Sequence, residues 1–461
     1  MEVLTGAIDL VAREALLFAA VGMLIGGLDD LAIDIVYAFG RLRRMGAPRL
    51  TLASLPLPQQ AGGLAILIPA WDEQAVIGAM LRTARARLGP SDYRIFVGAY
   101  PNDPGTIAAV TEVAATDSRI RLVIGTCSGP TTKADCLNTL WHALNLADAR
   151  DGITTKAVVI HDAEDVVHPA ELTIFDTLIE RWAVVQLPVL PLVARGSRLV
   201  SGHYADEFAQ AHTQAMVVRT AMGAGMPLAG TGCAIAYPML ARLSDEKGGD
   251  PFDADSLVED YELGLRIAAM GGRGVFARVD DGAGGVAAVR SYFPATIDAA
   301  VRQKARWMTG IALAGWDRTG WSVRPLALAD HWMRMRDRRG PLAVLVLGAA
   351  YLALVAWGSG GVLHAIAGTP HVLPAPAWLL GANLALLGWR LIMRAVFTGR
   401  TYGWREALWS APRMVVGNYI ALFAARAALW RYLLMLAGRV PDWDKTAHRF
   451  PLLRDVDPVA R

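Results

Sequence analysis

KAVVIHDAEDVVHP, residues 156–169, decides how this chain is read. KAVVI is short, apolar and β-branched, the pattern of a strand covered on both faces. The acids Asp162, Glu164 and Asp165 therefore stand where the strand leaves its sheet, and open α/β sheets bind ligands at that edge. Two readings fit the acids alone. Asp and Glu are common in turns, and Pro169 suits the first position of a helix running through AELTIFDTLIERW. Alternatively, carboxylates two residues apart hold a hard divalent cation, which in turn grips a diphosphate.

Upstream, LAILIP (64–69), RIFVGAY (94–100) and IRLVIG (120–125) repeat the strand pattern, as does KAVVIHD (156–162) itself. Most are followed by a polar loop and then a helical stretch such as EQAVIGAMLRTARARL. This is a βαβ series, and it predicts a largely parallel, Rossmann-like α/β sheet of nucleotide-binding type. Neither GxGxxG nor GxxxxGK occurs, so glycine amides do not supply the grip on a diphosphate. A metal on Asp162 and Glu164 fits that need.

Four further stretches carry candidate chemistry. IPAWDEQAVI (68–77) places Asp72 and Glu73 at the exit of the first strand, where a helix-start carboxylate is the ordinary alternative. YPNDPGT (100–106) puts Asp103 on a proline-stiffened turn, and SGPTTKADCLN (128–138) offers Lys133 as a phosphate partner; ordinary turn chemistry explains either. In SLVEDYELGLRIAAMGG (256–272), Glu259 and Asp260 open a helix, where the dipole favours the ionised form and a carboxylate can accept a hydroxyl proton. Helix phase turns Glu259 about 100 degrees from Asp260 and predicts that it points away. RQKARWMTGIALAGW (302–316) sets Gln303, Arg306 and Trp307 on one helix; it reads as a basic interfacial helix, or as a place where Arg306 meets a leaving diphosphate and Trp307 a sugar ring.

The chain is 461 residues long, 54% hydrophobic, with 14 Trp and a net charge of +3. Its mean hydropathy of +0.33 is too apolar for an ordinary soluble enzyme, and scattered arginines give no nucleic-acid surface. Cys127, Cys136 and Cys233 have neither metal spacing nor an even count, so a reducing compartment is expected. Three stretches approach the ~20 apolar residues needed to cross a membrane: 10–28, 341–363 and 377–397. Arg41, Arg43, Arg44 and Arg49 after the first, RMRDRRG before the second, and Arg390, Arg394 and Arg400 after the third place residues 50–340 in the cytoplasm. Arg426 and Arg431 break the fourth stretch, 414–438, which reads as a helix lying in the interface; a crossing there would put the C-terminus outside.

Taken in order, PAWDE, YPNDP, TKADCLN, DAED, GTG (230–232), EDYELGLR and QKARW resemble glycosyltransferase family 2, the membrane-bound inverting transferases that include cellulose and hyaluronan synthases. GLDDLAIDIVY, HDAEDV, YFPATIDAAVRQKARW and WDKTAHRFP bring it nearest to the bacterial NfrB-like inner-membrane group. The resemblance implies an anchor over 1–40, a cytoplasmic glycosyltransferase-A domain over 50–320, an interfacial segment over 321–340, a membrane helix pair over 341–400, and interfacial helices with a C-terminal loop over 401–461.

It further implies a UDP-sugar donor, by family an N-acetylhexosamine, with Mg2+ or Mn2+ on Asp162 and Glu164. Ala70, Glu73, Asp103, Lys133, Asp162, Gln303, Arg306 and Trp307 would hold the donor. Asp260 would be the base, with Glu259 beside it. Glu in the second acidic place departs from the Asp-x-Asp pattern and leaves Glu164 and Asp165 both open as the nearer ligand. Val258 replaces the Thr of the Thr-Glu-Asp motif. Lys445 or Thr446 would reach the diphosphate from a closing loop. Longer family members carry a further domain like a cyclic-dinucleotide module, and regulation through one is not expected here. The expected product is a surface polysaccharide at the bacterial inner membrane, with an outer-membrane exporter or receptor as partner. The alternatives are single-sugar transfer to a polyprenyl phosphate, so that the acceptor is lipid-linked, and an idle receptor or assembly subunit.

Overall fold

In the computed structural model, which describes residues 2–43, 45, 50–439, 448–451 and 456, the four expected strands lie in one sheet. They are β1 (Gly63–Pro69), β2 (Tyr93–Ala99), β3 (Ile120–Ile124) and β4 (Thr155–Ile160). Every residue of β1, β2 and β4 is buried, as their unbroken apolar runs demand. Three short strands complete the sheet: β5 (Val184–Gln186), β6 (Cys233–Ala236) and β7 (Gly274–Phe276). The order is β3-β2-β1-β4-β6-β5-β7. β1 to β4 pair in parallel, and β6 runs antiparallel to β4 and β5, so the sheet is mixed. Chain order reverses between β1 and β4, which opens a crevice at their carboxyl ends.

The helix α1 (Glu2–Arg43) precedes the sheet. On one face, α2 (Ile77–Leu88), α3 (Pro104–Ala114) and α5 (Glu171–Leu178) cover Ile66, Ile68, Val97 and Val159. On the other, α4 (Lys133–Asp151), α8 (Tyr237–Glu246) and α9 (Glu259–Ala269) cover Leu67, Phe96, Val158 and Ile160. Between α5 and α8, α6 (Val200–Gln210) and α7 (Met216–Ala221) are joined by a π-helical turn, Ala211–Ala215. Two expected helix starts move. Residues 72–76 form a turn, so α2 opens at Ile77, and α5 opens at Glu171, two residues beyond Pro169.

After β7 come α10 (Ile297–Met308), a π-helical turn Thr309–Leu313, α11 (Ala314–Thr319) and α12 (Leu328–Arg338). Then follow α13 (Gly340–Ala367), α14 (Ala377–Tyr402) and α15 (Trp404–Leu436). α1, α13, α14 and α15 are each long and apolar enough to cross a membrane. α15 is one continuous helix of 33 residues that takes in nearly all of the 414–438 stretch expected to be helical. Its buried Arg413, Ile420, Ala424 and Ala428 nevertheless face the sheet domain: Arg413 Nη1 meets Asp206 of α6 at 3.0 Å, and Ala424 and Ala428 pack on Ala305 of α10.

Candidate active site

The exit of β1 is a strained turn. Asp72 has φ 53, the only positive value at a non-glycine among the described residues. Asp103 holds it there: its carboxylate accepts the Asp72 N–H at 2.6 Å and, capping α3, the Thr106 N–H at 3.1 Å. The Thr106 hydroxyl accepts the Glu73 N–H at 2.8 Å. Ala70 and Asp103 are buried behind this turn and outside the cavity wall; Glu73 is carried into that wall.

The exit of β4 separates the three acids. Asp165, 2% exposed, turns inward: it accepts the Asp162 N–H at 2.8 Å and the Thr231 hydroxyl, and it faces His161 Nδ1 at 3.2 Å. Glu171 approaches His161 Nε2 at 2.9 Å. Burial opposes charge on this imidazole, but Glu171 and Asp165 outweigh it and push its pKa up to about 10. Asp165 is therefore a brace that ties β4 to the Gly230–Gly232 turn, whereas Glu164 lines the cavity.

Lys133, at the start of α4, sits at the centre. Its ammonium donates to Asp162 Oδ1 at 2.6 Å and to the Gly230 carbonyl at 3.2 Å, with Glu259 Oε1 at 3.8 Å. Burial disfavours this charge, yet Asp162, Glu259 and Asp260 hold it protonated well above the ordinary lysine range. Glu259 does not point away. Both acids at the first turn of α9 line the cavity. Burial first, then repulsion from Glu259, pushes the Asp260 carboxyl up to about 7; Lys133 and Arg306 pull the other way. Gly230, at φ +74, makes room for it: a Cβ there would stand 2.5 Å from Asp260 Oδ2.

The far wall of this cavity of about 700 Å³ is α10, which contributes Arg302, Gln303, Arg306 and Trp307. Gln303 Oε1 is buried without a hydrogen-bond partner among the described residues. Trp307 packs among Tyr204, Phe208 and Phe293, with ring centroids 6.0, 6.4 and 6.4 Å away. Arg195, Tyr292 and Phe293 also line this side; Tyr292 and Phe293 open the YFPATIDAAVRQKARW stretch, whereas nothing in the local sequence marks out Arg195.

Across from α10 the C-terminal segment enters. His448 Nδ1 lies 2.8 Å from Glu73 Oε1 and 3.3 Å from Glu164 Oε2. Burial pushes the Glu164 carboxyl up to about 8, despite the pull of His448. Burial opposes charge on His448 too, but Glu164 and Glu73 outweigh it and raise its pKa to about 9. Phe450 packs beside Val166 and Leu192 and keeps the segment on the domain. Lys445 and Thr446 lie outside the described residues. The acids expected to hold a cation thus part company: Asp162 is paired with Lys133, while the donor atoms of Glu164 converge with those of Glu73 and His448.

Residues 60–310 match the model of Glycosyltransferase like family 2. Bacteriophage adsorption protein B of Escherichia coli K12 is 35% identical over 465 residues, which cover 94% of this chain and 61% of that protein. Bacteriophage N4 adsorption protein B of Escherichia coli O157:H7 matches to the same extent. The chain thus spans about 61% of the length of these curated relatives. Among solved structures, the mannosyltransferase PcManGT from Pyrobaculum calidifontis, in complex with GDP-Man and Mn2+, matches with a TM-score of 0.52 at 18% identity, over 92% of this chain and 99% of that one. At that identity the likeness is one of fold, a glycosyltransferase-A type α/β domain with membrane-length helices.

Proposed function

This chain belongs to glycosyltransferase family 2, and from that membership we propose a membrane-bound, inverting transfer of sugar from a UDP donor to a growing surface glycan. One observation carries the reading. Asp260, with a carboxyl pushed up to about 7, shares one cavity with Asp162 and Glu164 on one side and Arg306 on the other. A group with that pKa is poised to accept a proton near neutral pH.

The acceptor hydroxyl gives its proton to Asp260 as its oxygen forms a bond to the anomeric carbon. The bond from that carbon to the diphosphate breaks, and the electron pair leaves with UDP. A single displacement inverts the anomeric centre. Lys133 and Arg306 stabilise the negative charge that gathers on the leaving diphosphate. Gln303 and Trp307 position the acceptor. A divalent ion, Mg2+ or Mn2+, at the Asp162–Glu164 turn would neutralise the diphosphate when bound. The buried, proton-retaining Glu164 fits such an ion, since a cation relieves the cost of ionising it.

A fold neighbour solved with a nucleotide sugar and Mn2+ is in keeping with this reading. The curated relatives are named for bacteriophage adsorption, which suits a product carried to the cell surface, with an outer-membrane partner to export it. A second reading has one observation behind it. Arg195 and Arg302 line the cavity beside Arg306, a basic wall that suits a polyprenyl-phosphate acceptor. The test is UDP release from a panel of UDP-sugars with Mg2+ or Mn2+, followed by solvent partition of the product. Aqueous polymer supports the first reading, solvent-extractable product the second, and no turnover by folded protein supports an idle receptor.

A further inference from the structure

We infer that Arg394 of α14 holds the phosphate of an anionic membrane lipid where α14 packs on α6. The inference goes beyond the sugar-transfer reading and rests only on its membrane-bound part. Arg394 is 9% exposed, its Nε is buried without a hydrogen-bond partner, and it makes no ion pair among the described residues. The acids whose charge it meets, Asp206 and Glu207 of α6, are engaged elsewhere. Asp206 accepts from Arg413 Nη1 at 3.0 Å and from the Thr398 hydroxyl at 3.2 Å, and Glu207 pairs with Lys304 of α10 at 2.5 Å. Glu406 pairs with Arg413 and with Arg198. Four cations, Arg198, Lys304, Arg394 and Arg413, thus meet three carboxylates, and one positive charge is left over. Burial, against the pull of Glu207, holds the His203 imidazole down at about 4, so it adds no charge.

A buried cation without a counter-charge is costly, so the partner of Arg394 is to be sought outside the chain. Its place names that partner. α14 is long and apolar enough to cross a membrane, and Arg394 lies one turn before Thr398, which meets the sheet domain through Asp206. Basic pockets between membrane helices at that level take lipid headgroups. A guanidinium offers its N–H groups as a fork that a phosphate accepts, and one anion cancels the one excess charge. The neighbouring groups call for donors. Asp206 Oδ2 and His203 Nε2 are buried without partners, and because His203 Nδ1 donates to the Val200 carbonyl, the neutral ring presents Nε2 as an acceptor. A headgroup with a single negative charge and free hydroxyls meets both needs, which makes phosphatidylglycerol the probe of choice.

The experiment titrates the full chain in detergent micelles with phosphatidylglycerol, phosphatidylcholine or inorganic phosphate, and reads bound lipid by native mass spectrometry alongside the midpoint of thermal unfolding. Wild type should hold phosphatidylglycerol at least about tenfold more tightly than phosphatidylcholine, the worth of one charge-assisted hydrogen bond, and should unfold at a higher temperature with it. Arg394→Gln should lose that preference and, in phosphatidylcholine alone, unfold no earlier than wild type, because it removes an unpaired buried charge. Arg394→Lys keeps the charge and should keep a weakened preference. Arg390→Gln, one turn earlier on α14 and paired with Asp30, should keep it in full. Equal retention of the two lipids by wild type would overturn the site even if Arg394→Gln does not fold. A preference that survives Arg394→Gln, or falls as far in Arg390→Gln, would remove it from Arg394. The same stabilisation by inorganic phosphate would overturn the lipid as its source. A chain that purifies without detergent or lipid would overturn the membrane-bound reading, and the site with it.

Discussion

At the scale of single residues the proposal turns on one proton. Asp260 accepts only when ionised, and burial with Glu259 beside it sets its pKa at about 7. The rate constant kcat/KM should therefore fall about tenfold per pH unit below 7 and level off above it. Asp260→Asn keeps the shape and should keep UDP-sugar binding by titration, but lose 10² to 10⁴ in transfer at saturating donor, roughly what general-base catalysis contributes. Transfer near the wild-type rate would move the base elsewhere. Gly230→Ala tests the space around it: a Cβ at φ +74 meets Asp260 Oδ2 at 2.5 Å, so transfer should drop strongly, and backbone strain alone costs about 1–2 kcal/mol in thermal unfolding. Asp162, Lys133 and Asp260 were legible because each sits at the end of a strand or the start of a helix. Asp165 was not separable from Glu164, because its burial depends on His161 and Thr231, and Thr231 lies 66 residues away. His448 lies in the WDKTAHRFP stretch, but its place beside Glu73 could not be read from there, since that contact spans 375 residues.

Strands and helices show the same division. β1 to β4 could be read from their apolar, β-branched runs; β1, β2 and β4 are buried throughout, whereas β3, at the end of the sheet, is mostly half-buried. β5, β6 and β7 are three or four residues long and exist through pairing with one another and with β4, so no local pattern announces them. The late start of α2 has a similar cause, in that Asp103, on a neighbouring element, holds Asp72 in a backbone conformation that no helix continues. Asp103→Ala should therefore act twice. It removes the N-cap of α3, worth about 1 kcal/mol by thermal unfolding, and it releases the turn that presents Glu73. Donor or Mn2+ affinity should fall with stability. A variant that loses stability but keeps both affinities would show that the turn is held by Thr106 alone.

The whole molecule poses a question of sides that no single element settles. Asp29 and Asp30 of α1 meet Arg336 and Arg339 at the α12–α13 junction and Arg390 of α14, a charged belt that ties three membrane-length helices together. Twenty residues away on α1, Asp9 meets His364 of α13 at 2.9 Å, so α1 and α13 run antiparallel. We propose that this pair crosses the membrane and carries the 368–376 loop to the far face, from which α14 would return the chain to the side of the sheet domain. Had α15 crossed again, the segment after it would lie opposite the domain, yet His448 reaches Glu73 inside it. We therefore place α15 along the interface, with Arg413, Ala424 and Ala428 on the domain and Leu408, Val415, Tyr419, Trp430 and Leu433 toward lipid. Labelling with an impermeant maleimide in spheroplasts checks this, with exposed Cys127 as the built-in marker of the domain side. Thr369→Cys should react in intact spheroplasts, whereas Cys127 and, in a Cys127→Ser background, Gly438→Cys should react only after permeabilisation. A Gly438→Cys that reacts alongside Thr369→Cys would make α15 a fourth crossing and separate His448 from the acids it now meets.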